Sequence, residues 1–231
     1  MKTCGSTEPE TVQFLWIHIV NEPFIPQQYR NGNSSGSDLS AEEWLNVVDE
    51  AAALGAESCI ISVGAPLAER PEVWAICEWA QTVHDMRVGV YVYGAAVTEV
   101  DVRRLAQFNK EKTRLFVDSE DLERLRYADE QYGVQLCIAD GLAPDEPATA
   151  CHLPENMTCV CSKGALYTCG LVLGNERFRM GHVNRERLDG VMANEDLPHH
   201  IPEGAAPELP RRCNGCPPLM ERRMRGQHGH G

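Results

Sequence analysis

Six of the ten cysteines in this 231-residue chain follow residue 150, and two pairs among them are spaced like metal ligands. Cys159-Val160-Cys161 and Cys169 bracket a short turn, Cys213-Asn214-Gly215-Cys216 follows after a long excursion, and Cys151 precedes them all. Thiolates are soft ligands suited to zinc and to iron–sulfur clusters, and a fold that brings distant close-set pairs together closes them around one centre. Cys159 and Cys161, two apart on a strand, face the same side. His152, His182, His199 and His200 are near in sequence and read as surface histidines. Cys59, Cys77 and Cys137 sit inside apolar runs and read as small buried hydrophobes.

The elements that must position these cysteines alternate. Residues 12–20, VQFLWIHIV, form a first strand, followed by a polar Gly/Ser/Asn-rich stretch to Asp38. Ser40 with Glu43 has capping-box spacing and opens a helix whose apolar face is Trp44, Leu45, Val47, Val48, Ala51, Ala52 and Leu54, with Gly55 as its stop. Strands are predicted at 58–63, 88–93, 113–117 and 134–139, and helices at 71–84, 97–108 and 120–132. This alternation specifies a parallel sheet with helical crossovers. Five strands before residue 140 are too few for a closed eight-stranded barrel, so the fold class is α/β, a partial (open) β/α barrel with a small cysteine-rich C-terminal module. The proline-rich stretch 144–154 divides the chain into 1–143 and 144–231. Beyond it, short strands at 157–161 and 165–169 flank Ser162-Lys163-Gly164, and a short helix spans 185–194.

Net charge is −13 and the pI near 5.0, which excludes a nucleic-acid binder, since phosphate contacts need concentrated Lys and Arg. An arginine-rich tail from Arg211 reads as a solvated terminus. No apolar run approaches the roughly 20 residues that cross a bilayer, and MKTCGSTEPE lacks the features of a secretory signal, so the expectation is cytoplasmic, with no membrane partner. In a reducing compartment the cysteines serve as core thiols or metal ligands. Asp118, Glu120 and Asp121 read as a helix N-terminus, where negative charge is favourable.

Taken in order, these pieces resemble the radical S-adenosylmethionine superfamily with its C-terminal extension, called SPASM or, in shorter form, twitch. The resemblance rests on the first strand, the helix LSAEEWLNVVDEAAALGA (39–56), and ISVGAPL (61–67) where the family has a Gly-Gly-Glu-Pro-like turn. It continues in Cys151, Gly164 and Cys169, in 173–194, and in the late pair Cys213 and Cys216. Two features depart from the family. The loop NEPFIPQQYRNGNSSG (21–36) has no cysteine where the family has three thiolates, and Cys4 lies on the wrong side of the strand. Ala65 stands where the turn has its acid. His18 and Glu22, near that mouth, read as residues without chemistry.

The resemblance implies a degenerate scaffold that does not cleave S-adenosylmethionine by itself, with no catalytic residue assigned and that cofactor not expected. It implies one [4Fe-4S] cluster on Cys151, Cys169, Cys213 and Cys216, with Cys159 and Cys161 as alternates. Zinc on the same ligands is the competitor. The expected role is an accessory protein that relays electrons or organises substrate for a protein partner, either a catalytic subunit or a second copy of the chain. One alternative is an enzyme with non-radical or atypical S-adenosylmethionine chemistry at the open mouth. Another is a zinc-stabilised protein-interaction module.

Overall fold

Five apolar runs in the first 140 residues form strands, and helical segments follow the first four. The structure is a computed structural model that describes residues 12–20, 37–92, 97–140, 152–202 and 216–220. Its elements are β1 (Phe14–Ile19), α1 (Ala41–Ala53), β2 (Ser58–Val63), α2 (Pro71–Thr82), β3 (Arg87–Val92), α3 (Glu99–Leu105), β4 (Thr113–Val117), α4 (Leu122–Leu125), α5 (Tyr127–Tyr132) and β5 (Gln135–Ile138). There follow β6 (Met157–Val160), β7 (Ala165–Tyr167), β8 (Arg179–His182) and α6 (Leu188–Met192).

Local chemistry accounts for the boundaries. Ser40 caps α1, its hydroxyl accepting from Glu43 N while the Glu43 carboxylate accepts from Ser40 N. Gly55, at φ +97°, ends the helix: Gly55 N donates to Ala52 O and Ala56 N to Ala51 O, the paired bonds of a Schellman stop. Thr98 and Asp101 form a second capping box at α3. The continuous helix expected over 120–132 is instead a 3-10 turn followed by the short α4 and α5. Leu125 and Ala128, on either side of the break at Arg126, are fully buried.

All eight strands form one sheet in the order β5-β4-β3-β2-β1-β6-β7-β8. The pairings from β5 to β6 are parallel, and those of β6 with β7 and of β7 with β8 are antiparallel. The open α/β sheet of the sequence reading is therefore present, with β5 and β8 outermost among the described strands. The C-terminal strands extend it beyond β1, Trp16 standing opposite Cys159 and Ile60. The division at 143/144 falls outside the described residues. β8 was not expected, because Arg179-Met180-Gly181-His182 is short and lacks an apolar alternation. The strand expected over 165–169 stops at Tyr167, and Cys169 begins the next turn, its sulfur accepting from Leu171 N at 3.4 Å.

Strand alternation gives the sheet two unlike faces. Leu15, Ile17, Cys59, Ile61, Val88, Val90, Leu115 and Val160 share one apolar cluster with the helices. Phe14, Trp16, Ile60, Tyr91, Phe116, Met157 and Cys159 share the other, the inner face, which is covered by Cys169, Val172, Leu173, Phe178, Ile201, Cys216, Leu219 and Met220. Gly89 admits the Phe116 ring to the sheet, since a Cβ there would lie 2.3 Å from Phe116 Cε2.

Candidate metal centre

The inner face carries the cysteines that sequence spacing singled out. Cys159, Cys161, Cys169 and Cys216 are all buried there, while Cys151 and Cys213 lie outside the described residues. Burial pushes the Cys159 thiol well above its ordinary range, and Cys161 and Cys216 close by push it further. The same burial, with Cys161 nearby, raises the Tyr167 hydroxyl to about 12. The Cys159 thiol is thus held protonated in apolar surroundings, where a thiolate is costly. On the helical face Cys59 and Cys77 are likewise buried, Cys77 pushed up to about 12, and Cys137 on the inner face to about 11. That matches their reading as small hydrophobes.

Among the described residues, the metal-ligating side chains that converge are His152, Glu155 and His200, whose ligand atoms all lie within 4.8 Å of one another. Local geometry explains the first two. His152 opens the 3-10 turn Leu153–Asn156, in which positions three apart eclipse, and its Nδ1 lies 2.5 Å from Glu155 Oε1. His200 reaches them from a separate segment, its ring stacked on that of His152 with centroids 5.1 Å apart. Its neighbour Ile201 is buried in the inner-face cluster. The Thr168 hydroxyl donates to Pro198 O, and His199 Nε2 lies 2.8 Å from Asn194 O, so the segment is fixed on both sides.

Two nitrogens and a carboxylate suit a single zinc-class ion, whose tetrahedral ligand atoms stand about 3.3 Å apart for bonds near 2.0 Å. Iron–sulfur clusters take thiolates. The expectation of a [4Fe-4S] cluster is therefore corrected: the donor set that converges among the described residues is imidazole and carboxylate. The histidines read from sequence as surface residues supply it. Their signal was the His152-x-x-Glu155 spacing, but His200 is paired with it by the tertiary structure alone.

The centre lies at the amino ends of β1 and β6. Its turn runs directly into β6, and Asn156 O accepts from Gln13 N just before β1. Ligand sites of open parallel sheets lie at the opposite, carboxyl ends of the strands. At that end His18, Ser62 and Tyr91 stand in adjacent register on the inner face. Trp16 Nε1 donates to Ser62 Oγ at 2.9 Å, and the Tyr91 hydroxyl donates to Asp118. Burial raises the Asp118 carboxyl, the Tyr91 bond opposes it, and Asp140, Asp121 and Glu120 raise it further. Burial brings His18 down to about 3, so its ring is neutral. Gly170 packs directly on this row: a Cβ there would lie 2.2 Å from His18 Nε2 and 2.9 Å from Trp16. A cavity of about 410 Å³ lies elsewhere, between α1 and residues 183–188, bordered by Glu43, Asp49, Glu50, Asn184 and Arg187.

At the mouth the residues do not fit the cofactor chemistry that the resemblance implies. The turn after β2 keeps Gly64, whose N–H donates to Ile19 O, but carries Ala65 in place of the acid. The loop 21–36, outside the described residues, offers no thiolate.

No protein-family model matches this chain, and no curated protein matches it. Solved structures do. Native anSMEcpe with bound AdoMet aligns at TM-score 0.53 and 10% identity, over 81% of this chain and 83% of that one. The complexes of anSMEcpe with AdoMet and the Cp18Cys or Kp18Cys peptide each align at 0.52, with 13% and 11% identity. The first covers 82% of both chains, the second 79% of this chain and 81% of that one. At such identity the likeness concerns the fold alone: this chain shares the open α/β sheet of these structures. No helix among the described residues is long and apolar enough to cross a membrane.

Proposed function

We propose that this chain is a zinc-stabilised protein-interaction module built on a radical-SAM-like scaffold. The observation that carries this reading is the convergence of His152, Glu155 and His200 at the amino end of the sheet, away from the mouth where cofactor chemistry would occur. A metal there joins the turn before β6 to the segment carrying Ile201, and so acts as a clasp between parts of the fold. The mouth supports the same reading, since Gly170 occupies the space against His18 and Trp16. Two of the similar structures hold a bound peptide, which supports a peptide or protein as the partner. That partner is another protein chain, either a catalytic subunit or a second copy of this one.

Metal and acid-labile sulfide analysis of the purified chain tests this. The expected result is about one zinc per chain with no sulfide, lost on chelation together with thermal stability. Zinc at 100 times its dissociation constant stabilises by about 2.7 kcal/mol, so chelation lowers Tm by about 5–10 °C in a chain of this size. The double variant His152→Ala/His200→Ala is expected to bind no zinc and to melt at the chelated value. Full zinc content in that variant would refute the site. Sedimentation velocity then separates the partners: a monomer at every concentration removes the second copy.

A further inference from the structure

The cavity of about 410 Å³ between α1 and residues 183–188 has the size of a ligand site and takes no part in the metal centre. Two hydrogen bonds pin its walls together: the Asn184 amide donates to Glu43 Oε1 at 2.8 Å, and Leu188 N donates to Glu50 Oε2 at 2.7 Å. Val47 and Leu188 are buried in its floor, while Ala53 and Val183 keep apolar surface in contact with solvent. Among the described residues its rim carries three carboxylates, Glu43, Asp49 and Glu50, against the one guanidinium of Arg187. The bonds to Ser40 and Asn184 hold the Glu43 carboxyl below its ordinary range. Desolvation raises the Asp49 carboxyl, but its bonds from Trp79 and His84 outweigh that and bring it below its ordinary range as well. Both are therefore ionised at neutral pH. Trp79 and His84 both meet Asp49 at Oδ1, and Leu188 meets Glu50 at Oε2, which leaves Asp49 Oδ2 and Glu50 Oε1 available as acceptors. α1 has no basic residue in its last turn, so the partial negative charge of its carboxyl end adds to theirs.

Resting on the reading of the chain as a protein-interaction module, we infer that this crevice docks a basic segment of the partner chain, two Lys or Arg side chains flanking an apolar one. The cations meet the carboxylates of α1, and the apolar side chain covers Ala53 and Val183. Magnitudes favour a chain over a free amine. Asp49 is 45% exposed, and an ion pair so wet is worth at most about five-fold in affinity. Three such pairs hold a free polyamine no tighter than about 10 mM. A peptide adds apolar burial to the same pairs. Charge also selects the partner: a second copy of this chain, itself at −13, is repelled from an acidic crevice, whereas a basic segment is drawn to it.

Fluorescence anisotropy of a labelled Gly-Lys-Leu-Arg-Gly amide, titrated with the full chain at low ionic strength, tests this beside a control peptide with Glu for Lys and Arg. The expectation is a dissociation constant below about 1 mM for the basic peptide and no binding of the acidic one. Asn46→Lys, which sets a cation into the crevice from an exposed position, is expected to weaken binding about five-fold. Arg187→Glu, which removes the cation of the rim, is expected to strengthen it by about as much. Val100→Lys makes the same charge change as Asn46→Lys at a 73% exposed position on α3, and is expected to leave binding unchanged. Equal weakening by Asn46→Lys and Val100→Lys would reduce the effect to overall charge and overturn the inference. Spermidine displacing the peptide below about 1 mM would assign the crevice to a free amine and overturn it too. Self-association of the chain that Asn46→Lys abolishes would assign it to a second copy, with the same consequence. Zinc binding without peptide binding sinks the docking site and leaves the metal-stabilised module. Peptide binding by a chain that takes up no zinc sinks the clasp and leaves the crevice.

Discussion

On one face of the sheet, Leu15, Ile61, Val90 and Leu115 meet regular helices opened by capping boxes at Ser40 and Thr98. On the other, the same strands present Trp16, His18, Ser62, Tyr91, Phe116 and Cys159 to short turns and single-turn segments from the C-terminal part of the chain. The first face is aliphatic and its cover cooperative. The second is aromatic, thiol-bearing and polar at its carboxyl end, and its cover is assembled from pieces that the sheet must hold in place. The difference teaches that an α/β scaffold can keep one face as a conventional core while the other is closed by its own C-terminal residues.

Paired truncations give the largest test of that comparison. Phe116→Ala, on the inner face, is expected to cost about 3–5 kcal/mol and Ile61→Ala, on the helical face, about 2–5 kcal/mol in urea unfolding. An inner-face cost below about 1 kcal/mol would show that the cover is not packed against the sheet. Gly170→Ala drives a methyl group into His18 and Trp16 and is expected to cost about 1–3 kcal/mol. A neutral result would mean that the cover yields freely there.

The buried His18 gives the inner face a signature in pH. Its folded value near 3 lies below the unfolded 6.5, so as pH falls below 6.5 the unfolded chain takes up a proton that the folded chain refuses. Stability is therefore full above pH 6.5 and falls towards pH 5 by up to about 1.4 kcal/mol per pH unit, before most carboxylates titrate. His18→Gln is expected to flatten that slope, and urea midpoints across the range read it. An unchanged slope would move the proton uptake to another group. The smallest effect belongs to the helical face: Ser40→Ala removes one cap and is expected to cost about 1 kcal/mol, with no change in zinc content.

Much of the fold was legible because its signals are local. The Ser40–Glu43 box, the Gly55 stop and the apolar runs of β1 to β5 each depend on residues a few positions apart. β8 and the broken helix over 120–132 were not. One has no pattern of its own and is a strand because β7 offers it a ladder. The other reads as helix, but its interruption at Arg126 between α4 and α5 has no local signal such as proline or glycine. The candidate site was legible only in half: His152-x-x-Glu155 shows one turn of a ligand pair, but nothing near His200 in sequence marks it as their companion.

What the sequence determined by itself is the alternation of strands and helices, the buried character of Cys59, Cys77 and Cys137, and the absence of thiolates from 21–36, each a matter of residue type and short spacing. What the tertiary structure alone decided is which donors meet. Cys159, Cys161, Cys169 and Cys216 went into an apolar face, where burial keeps Cys159 protonated, and His152 and His200 converged beside a carboxylate. The reason is that ligand convergence depends on where distant segments cross the sheet, and that crossing is set by packing the chain as a whole.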